Sequence, residues 1–155
     1  MVSAETAGQM LEAVLAESAE SDALIMAAAV ADFRPRNISS DKIKKEGGIP
    51  QIELEATEDI LKTVTSRRSE KGCPRFVAGF AAESRDLLEN ASHKLKSKGL
   101  DLIAANDIRA HDAGFSVETN RVTLLFADGR QESLPLMGKT EVAEAILGWV
   151  SKYLE

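Results

Sequence analysis

Asp32 ends an apolar run of eight residues, 24–31, and is followed by a cationic knot of Lys42, Lys44 and Lys45. Ligands in open α/β sheets bind beyond the carboxyl ends of the strands. An acid at such a place, followed by a cationic segment, is what a metal–triphosphate or nucleotide site needs. Ala27, Ala28 and Ala29 shrink the second half of the run, so another molecule can approach backbone that Leu or Ile would block. Two further strand-like segments end alike, the apolar run 76–82 before Glu83 and 100–105 before Asn106 and Asp107. Polar residues at several strand ends on one edge point to a site more strongly than any one of them. Phe80, beside Gly79, offers an aromatic face to a base, or fills the core as strand-end Phe commonly does. A plain structural reading stands beside these: alanines pack closely against a helix, and an Asp after a strand is a turn residue.

Periodicity shows which elements must position these residues. Ser3 caps a helix to about Ala19, with Ala7, Met10, Leu11, Val14 and Leu15 as its apolar stripe. A strand over 24–29, buried on both faces, follows. Residues 33–41 read as a loop, since Pro35 keeps the next turn from becoming a helix. Segments 42–45 and 51–56 flank Gly47-Gly48 as a β-hairpin. Lys42 and Lys44 then share one face, either as a solvated edge or as a flap that contacts an anion. Thr57 N-caps a helix that buries Ile60, Leu61 and Val64 and stops near Arg68. Its free N–H groups, beside Glu58 and Asp59, suit a ribose or a base edge better than a bare phosphate.

Strand 76–82 leads to a helix capped by Ser84, with Leu87, Leu88, Ala91 and Leu95 inward and Gly99 at its end. Lys94 and Lys98 are i,i+4 neighbours on it. After strand 100–105, Asp128-Gly129 signals a two-residue hairpin between 121–127 and 130–136. Strand 122–127 is apolar on both faces, as cover by a partner subunit would require. Thr140 caps a last helix that buries Val142, Ala143, Ile146, Leu147, Val150 and Leu154. The pattern predicts a single α/β domain over 1–155, Rossmann-like and three-layered, with a mostly parallel sheet extended by β-hairpins.

Composition narrows the function. At 155 residues the chain can bury a real core, and 44% hydrophobic with 28% charged residues is ordinary for a globular protein. A net charge of −6 argues against nucleic acid or a membrane surface as partner, since both demand a cationic field. Local lysine knots on an acidic chain suit a small, highly charged anion instead. Cys73 is the only cysteine, so no intrachain disulfide forms. No apolar run nears the ~20 residues that span a bilayer, and no signal-peptide pattern opens the chain, so a cytoplasmic protein is expected. His93 and His111 have no metal-ligand spacing with each other or with Cys73.

The motifs AAAVADFRP, KIKK, TEDILKTV, GFAAES and KLKSKGLDLIAANDI, in this order, resemble the phosphopantothenate–cysteine ligase family. In many bacteria that ligase is the carboxyl-terminal half of a bifunctional protein with a flavin-dependent decarboxylase. The resemblance implies coenzyme A biosynthesis: CTP activates 4′-phosphopantothenate as an acyl-cytidylate, pyrophosphate leaves, and cysteine displaces CMP. It implies a homodimer and Mg²⁺, with FMN confined to the fused decarboxylase half. It places Met26, Ala27, Ala28 and Asp32 along the cytidine nucleotide, Lys42 on the triphosphate, and Glu58, Asp59, Ile60 and Leu61 on the nucleotide. Phe80 would pack against the nucleotide, and Lys94 and Lys98 would meet phosphate oxygens. Lys42 and Asp32 would serve the reaction, and Asn106 the substrate. Glu58 departs from the proline more common there. The family's opening strand, Gly-rich turn and Asn-containing loop have no counterpart at the front of this sequence, so impaired turnover is expected of it. The alternative is a non-catalytic nucleotide-binding or dimerisation module. A dinucleotide oxidoreductase is disfavoured, because no G-x-G-x-x-G follows a strand.

Overall fold

The computed structural model describes residues 1–37, 39, 41–42, 44, 49–83, 85–107 and 118–155, with the side chains of Glu83 and Asp107 outside that description. Helix α1 (Ala7–Ser18) starts later than Ser3 because Thr6 and Gln9 form a capping box. Gln9 N donates to Thr6 Oγ1 at 3.1 Å, and Thr6 N donates back to Gln9 Oε1 at 3.1 Å. Strand β1 (Ala23–Met26) is shorter than expected and half-exposed rather than buried on both faces, because it forms an edge of the sheet. Ala27, Ala28 and Ala29 lie beyond it as exposed coil.

Part of the expected loop is a strand. β2 (Phe33–Pro35) pairs antiparallel with β3 (Leu54–Ala56), Arg34 facing Glu55. Arg34 Nε lies 2.7 Å from Glu55 Oε1, and Arg36 N donates to Glu53 O at 2.9 Å. Residues 53–56 therefore pair with 33–36, and of the expected strand 42–45 only Lys42 and Lys44 lie within the described residues. The proposed Gly47-Gly48 turn and Lys45 lie outside the described residues.

Helix α2 (Ile60–Lys71) is capped by Asp59, two residues after Thr57, and runs past Arg68 to Gly72, whose φ of 77° closes it in the left-handed region. Strand β4 (Phe76–Glu83) follows. Helix α3 (Leu87–Ser97) begins after Asp86, not Ser84, which lies outside the described residues. Ala91 and Leu95 are buried on α3, while Leu88 is exposed. Strand β5 (Leu102–Asp107), the short β6 (Thr119–Asn120) and β7 (Val122–Phe126) come next. Then follow β8 (Gln131–Ser133), β9 (Met137–Gly138) and α4 (Lys139–Leu154). α4 starts one residue before Thr140, with Gly138 N donating to Glu141 Oε2 at 2.7 Å. Its buried stripe is Val142, Ile146 and Val150, with Ala143 and Leu147 exposed.

The central sheet has the order β1-β4-β5-β7-β8. β1, β4 and β5 are parallel, but β7 is antiparallel to both β5 and β8, so the sheet is mixed rather than mostly parallel. Val122 faces Asn106: the chain re-enters the sheet at the edge where β5 leaves it, and only an antiparallel pairing fits. The β7–β8 turn is longer than two residues. Phe126 N donates to Arg130 O and Gly129 N to Phe126 O, with Gly129 at φ 91°.

α1, α2 and α3 pack on one face, where Leu61, Val64, Val77, Leu95 and Ile103 meet. α4 covers the other, where Phe76, Leu102, Leu124, Val142 and Ile146 meet. Leu125 joins the first cluster and Val122, Leu124 and Phe126 the second, so the two apolar faces of β7 are covered within this chain, and no partner subunit is needed to explain them. Arg68 and Asp101 fasten the amino end of the sheet: Asp101 accepts from the Arg68 guanidinium and, at 2.7 Å, from Val77 N. This bond raises the Arg68 pKa against the opposing effect of burial. Cys73 is a free thiol, and among the described residues no helix is long and apolar enough to cross a membrane.

Candidate nucleotide site

The chain leaves β1 at Met26 and passes over the carboxyl edge of the sheet to Asp32. Two bonds pin this passage to Thr57, three residues before the first residue of α2. Thr57 N donates to Asp32 O at 2.9 Å, and Thr57 Oγ1 donates to Ala31 O at 2.5 Å. Thr57 is thus a clasp rather than a helix cap, and Asp59 takes the cap, its Oδ1 accepting from Lys62 N at 3.1 Å. The clasp closes a hollow of about 130 Å³. Met26, Ala28, Val30, Ala31 and Asp32 form one wall and residues 57–61 the other, with Phe80 and Lys98 between them.

The wall of α2 can lie so close to β4 because Gly79 has no side chain. A Cβ there would stand 3.0 Å from Leu100 Cδ1 and 3.1 Å from Leu61 Cδ1. Phe80, on the opposite face of the same strand, is 38% exposed and stands at the hollow instead of in the core. Lys98 comes from the far end of α3, yet its Nζ lies 2.9 Å from Asp59 Oδ2. Partial burial pushes the Asp59 carboxyl up. The hydrogen bond from Lys98, the Lys62 N–H and the charges of both lysines outweigh that and hold it below the usual aspartate range.

Of the residues singled out from the sequence, Met26, Ala28, Asp32, Glu58, Asp59, Ile60, Leu61, Phe80 and Lys98 surround this one hollow. Ala27 is exposed beside it. Lys42 is exposed in the segment beyond the β2–β3 ribbon, which rises from the rim at Asp32 and Thr57. Lys94, one turn before Lys98, is half-buried on α3 and does not line the hollow. Asn106, opposite Ala82 and Val122, is half-buried at the end of β5, with its Nδ2 3.5 Å from Asn120 Oδ1. Glu83 pairs with Asp107 in the backbone register at the same edge. Thr57, Val30 and Ala31 are lining residues that sequence reasoning missed. The Thr57 hydroxyl bond spans 26 positions of chain, and no local pattern announces it.

Larger hollows lie elsewhere. One of about 430 Å³ sits at the amino edge among Phe76, Phe126, Trp149 and Tyr153, and one of about 630 Å³ lies along α1 and β1. The small hollow at the carboxyl edge is the better candidate because it joins the first turn of a helix, a poised ammonium and a half-exposed aromatic ring at a topologically favoured place. At about 130 Å³ it is below the roughly 300–1,000 Å³ of pockets that engulf a whole ligand. It fits one ring and leaves the rest of a nucleotide across the surface. Among the described residues, Asp32, Glu58 and Asp59 set three carboxylates against the ammonium of Lys98. A neutral ring is accepted there, whereas a polyphosphate needs further cations.

Among the described residues, no three or more His, Cys, Asp and Glu side chains group as a metal site. Asp32, Glu58 and Asp59 line the hollow as oxygen donors of the kind a hydrated Mg²⁺ ion would take.

Comparison with known proteins gives the family. A family model described as DFP, DNA/pantothenate metabolism flavoprotein C-terminal domain, matches residues 1–154. The coenzyme A biosynthesis bifunctional protein CoaBC of Bacillus subtilis (strain 168) is 44% identical over 143 residues, covering 92% of this chain and 34% of that protein. A cysteine/cysteine sulfinic acid decarboxylase of an unknown prokaryotic organism is 38% identical over 147 residues, covering 95% of this chain and 40% of that protein. The crystal structure of the C-terminal domain of a CoaBC protein superposes with a TM-score of 0.76 at 38% identity, over 99% of this chain and 67% of that one. The chain spans about a third of the length of the first of these curated relatives and two fifths of the second. Matched along nearly its whole length, the chain belongs to the family of DNA/pantothenate metabolism flavoprotein C-terminal domains.

Proposed function

We propose that this chain supplies the nucleotide half of a phosphopantothenate–cysteine ligase site in coenzyme A biosynthesis, with CTP as co-substrate. The observation that carries this reading is the convergence of the β1 exit, the start of α2, Phe80 and Lys98 on one hollow of ring size. The cytosine or ribose ring sits between the small residues Ala28 and Ala31 and the Phe80 ring, against the backbone of Ile60 and Leu61. The phosphates then run outward past Lys98. Lys94, one turn nearer the carboxyl edge, and Lys42, on the segment beyond the ribbon, meet the outer oxygens. Ala27 lets the chain of phosphates pass close to the backbone. Asn106 stands at the substrate side of the same edge.

The reaction requires little of the protein beyond placement and charge. A carboxylate oxygen of 4′-phosphopantothenate bonds to the α-phosphorus of CTP and pyrophosphate departs. The cysteine amine then bonds to the acyl carbon, CMP leaves, and the amine proton is lost to solvent. No side chain need bond to the substrate. The lysines offset the repulsion between carboxylate and polyphosphate. Mg²⁺, carried by the triphosphate, supplies further charge neutralisation, with Asp32 as its protein contact. Two copies of the chain act as a homodimer.

Isothermal titration with CTP and with ATP, magnesium present, tests the reading. CTP should bind at least tenfold more tightly, because the hollow admits one small ring. Equal millimolar affinities would contradict it. A CTP-insensitive dimer in sedimentation, with trypsin cutting at Lys42 equally with and without CTP, would favour a dimerisation module.

A further inference from the structure

Lys98 is an unexpected source for a charge at the carboxyl edge. It caps the far end of α3, and Gly99 at φ 63° turns the chain into β5. α3, with 11 residues, descends from the carboxyl edge over roughly 16 Å, so Lys98 starts near the opposite edge. The gap is closed from α2, which descends beside it. Thr65 Oγ1 lies 2.6 Å from the carbonyl oxygen of Lys98 and donates to it. Thr65 also packs against the following turn: a Cβ on Gly99 would lie 3.6 Å from both Cβ and Oγ1 of Thr65. Thr65 is six positions below Asp59, a rise of about 9 Å along the helix. An extended lysine spans about 6 Å from Cα to Nζ, five bonds of roughly 1.5 Å in zigzag. The side chain therefore climbs α2 by most of this height, and its ammonium ends on Asp59 at 2.9 Å.

We propose that Thr65 is a positioning residue for the site: it fixes the height from which Lys98 reaches, and Asp59 holds the ammonium at the hollow until an anionic group of the ligand takes it over. The identity of that anion as a nucleotide phosphate rests on the ligase reading; the mechanical coupling of Thr65, Lys98 and Asp59 does not. Thr65 touches no reacting atom and lies outside the lining of the hollow. Its hydroxyl sits 3.2 Å from Lys62 O as well, so a loss of stability alone does not identify the role.

The test joins two readouts on the wild type, Thr65→Val, Thr65→Ser and Lys98→Ala, each checked for folding by its thermal midpoint. Where the valine variant does not fold, Thr65→Ala takes its place. The first readout is the titration of the Asp59 carboxyl by NMR. Its midpoint should rise in Lys98→Ala, rise part of the way in Thr65→Val, and keep the wild-type value in Thr65→Ser. The second is calorimetric binding of CTP and of cytidine. Thr65→Val should weaken CTP roughly fivefold with cytidine unchanged, Thr65→Ser should restore it, and Thr65→Val should add no loss in a Lys98→Ala background. An unmoved Asp59 midpoint in Thr65→Val, or the same CTP loss with Lys98 already removed, would overturn the proposal. Asp59 midpoints that move as expected in a protein that binds neither ligand would sustain the positioning role and overturn the nucleotide reading.

Discussion

Asp59 serves two partners with its two oxygens, Oδ1 taking the Lys62 N–H and Oδ2 the Lys98 ammonium. Asparagine keeps the cap and removes the charge; alanine removes both. Asp59→Ala should therefore cost about 1 kcal/mol more in stability than Asp59→Asn, as read by urea unfolding. Because the folded carboxyl titrates below its ordinary value, its contribution is fully present above the unfolded aspartate value of about 3.9 and fades as pH falls through the lower folded one. The thermal-midpoint difference between wild type and Asp59→Asn should hold from neutral pH to about 5 and close at lower pH. A gap that stayed constant to pH 2 would mean that the charge plays no part. Lys42 makes a separate prediction. As a contact to outer phosphates, Lys42→Ala should weaken CTP far more than CMP in calorimetry; equal losses would place Lys42 at the base or in folding.

At the level of elements, the Arg68–Asp101 pair ties α2, whose first turn walls the hollow, to the starts of β4 and β5. Asp101→Ala leaves both the Val77 N–H and the Arg68 guanidinium without their partner. Unfolding should be easier by about 3 kcal/mol, measured by denaturant titration; a change under 1 kcal/mol would show that the pair is ornamental. The helices were legible in the sequence as stripes, and Ile60, Leu61 and Val64 face inward as their spacing implies. Their starts were less so. Thr6 with Gln9 is a readable capping box, but Ser3 lies nearby and is intrinsically the better cap, and only the reciprocal bonds decide. Thr57 looked like a cap because its hydroxyl was free to be one; the structure uses that hydroxyl on Ala31, a contact no local rule contains.

Over the whole molecule, three layers and a run of parallel strands followed from apolar runs ending in polar residues. The direction of β7 did not. Alternation reports which residues are covered, not whether the chain returns from the same edge, and Val122 opposite Asn106 settles that only in three dimensions. The same limit hid the β2–β3 ribbon: residues 51–56 alternate as a strand must, and 53–56 pair with 33–36, which read as a loop. The site was legible as a set because its members sit at strand ends and at one helix start, positions that chain topology gathers on one edge. Lys98 joins that set from the other end of α3, through the reach of its side chain to Asp59.

A crystal soaked with CTP and magnesium tests the central claim most directly. The account predicts the cytidine ring, its base or its ribose, between Ala28, Ala31 and Phe80, and the Lys98 ammonium transferred from Asp59 to a phosphate oxygen. Density for the nucleotide in the aromatic hollow of Phe76, Trp149 and Tyr153, or a Lys98–Asp59 pair undisturbed beside an empty carboxyl edge, would contradict it.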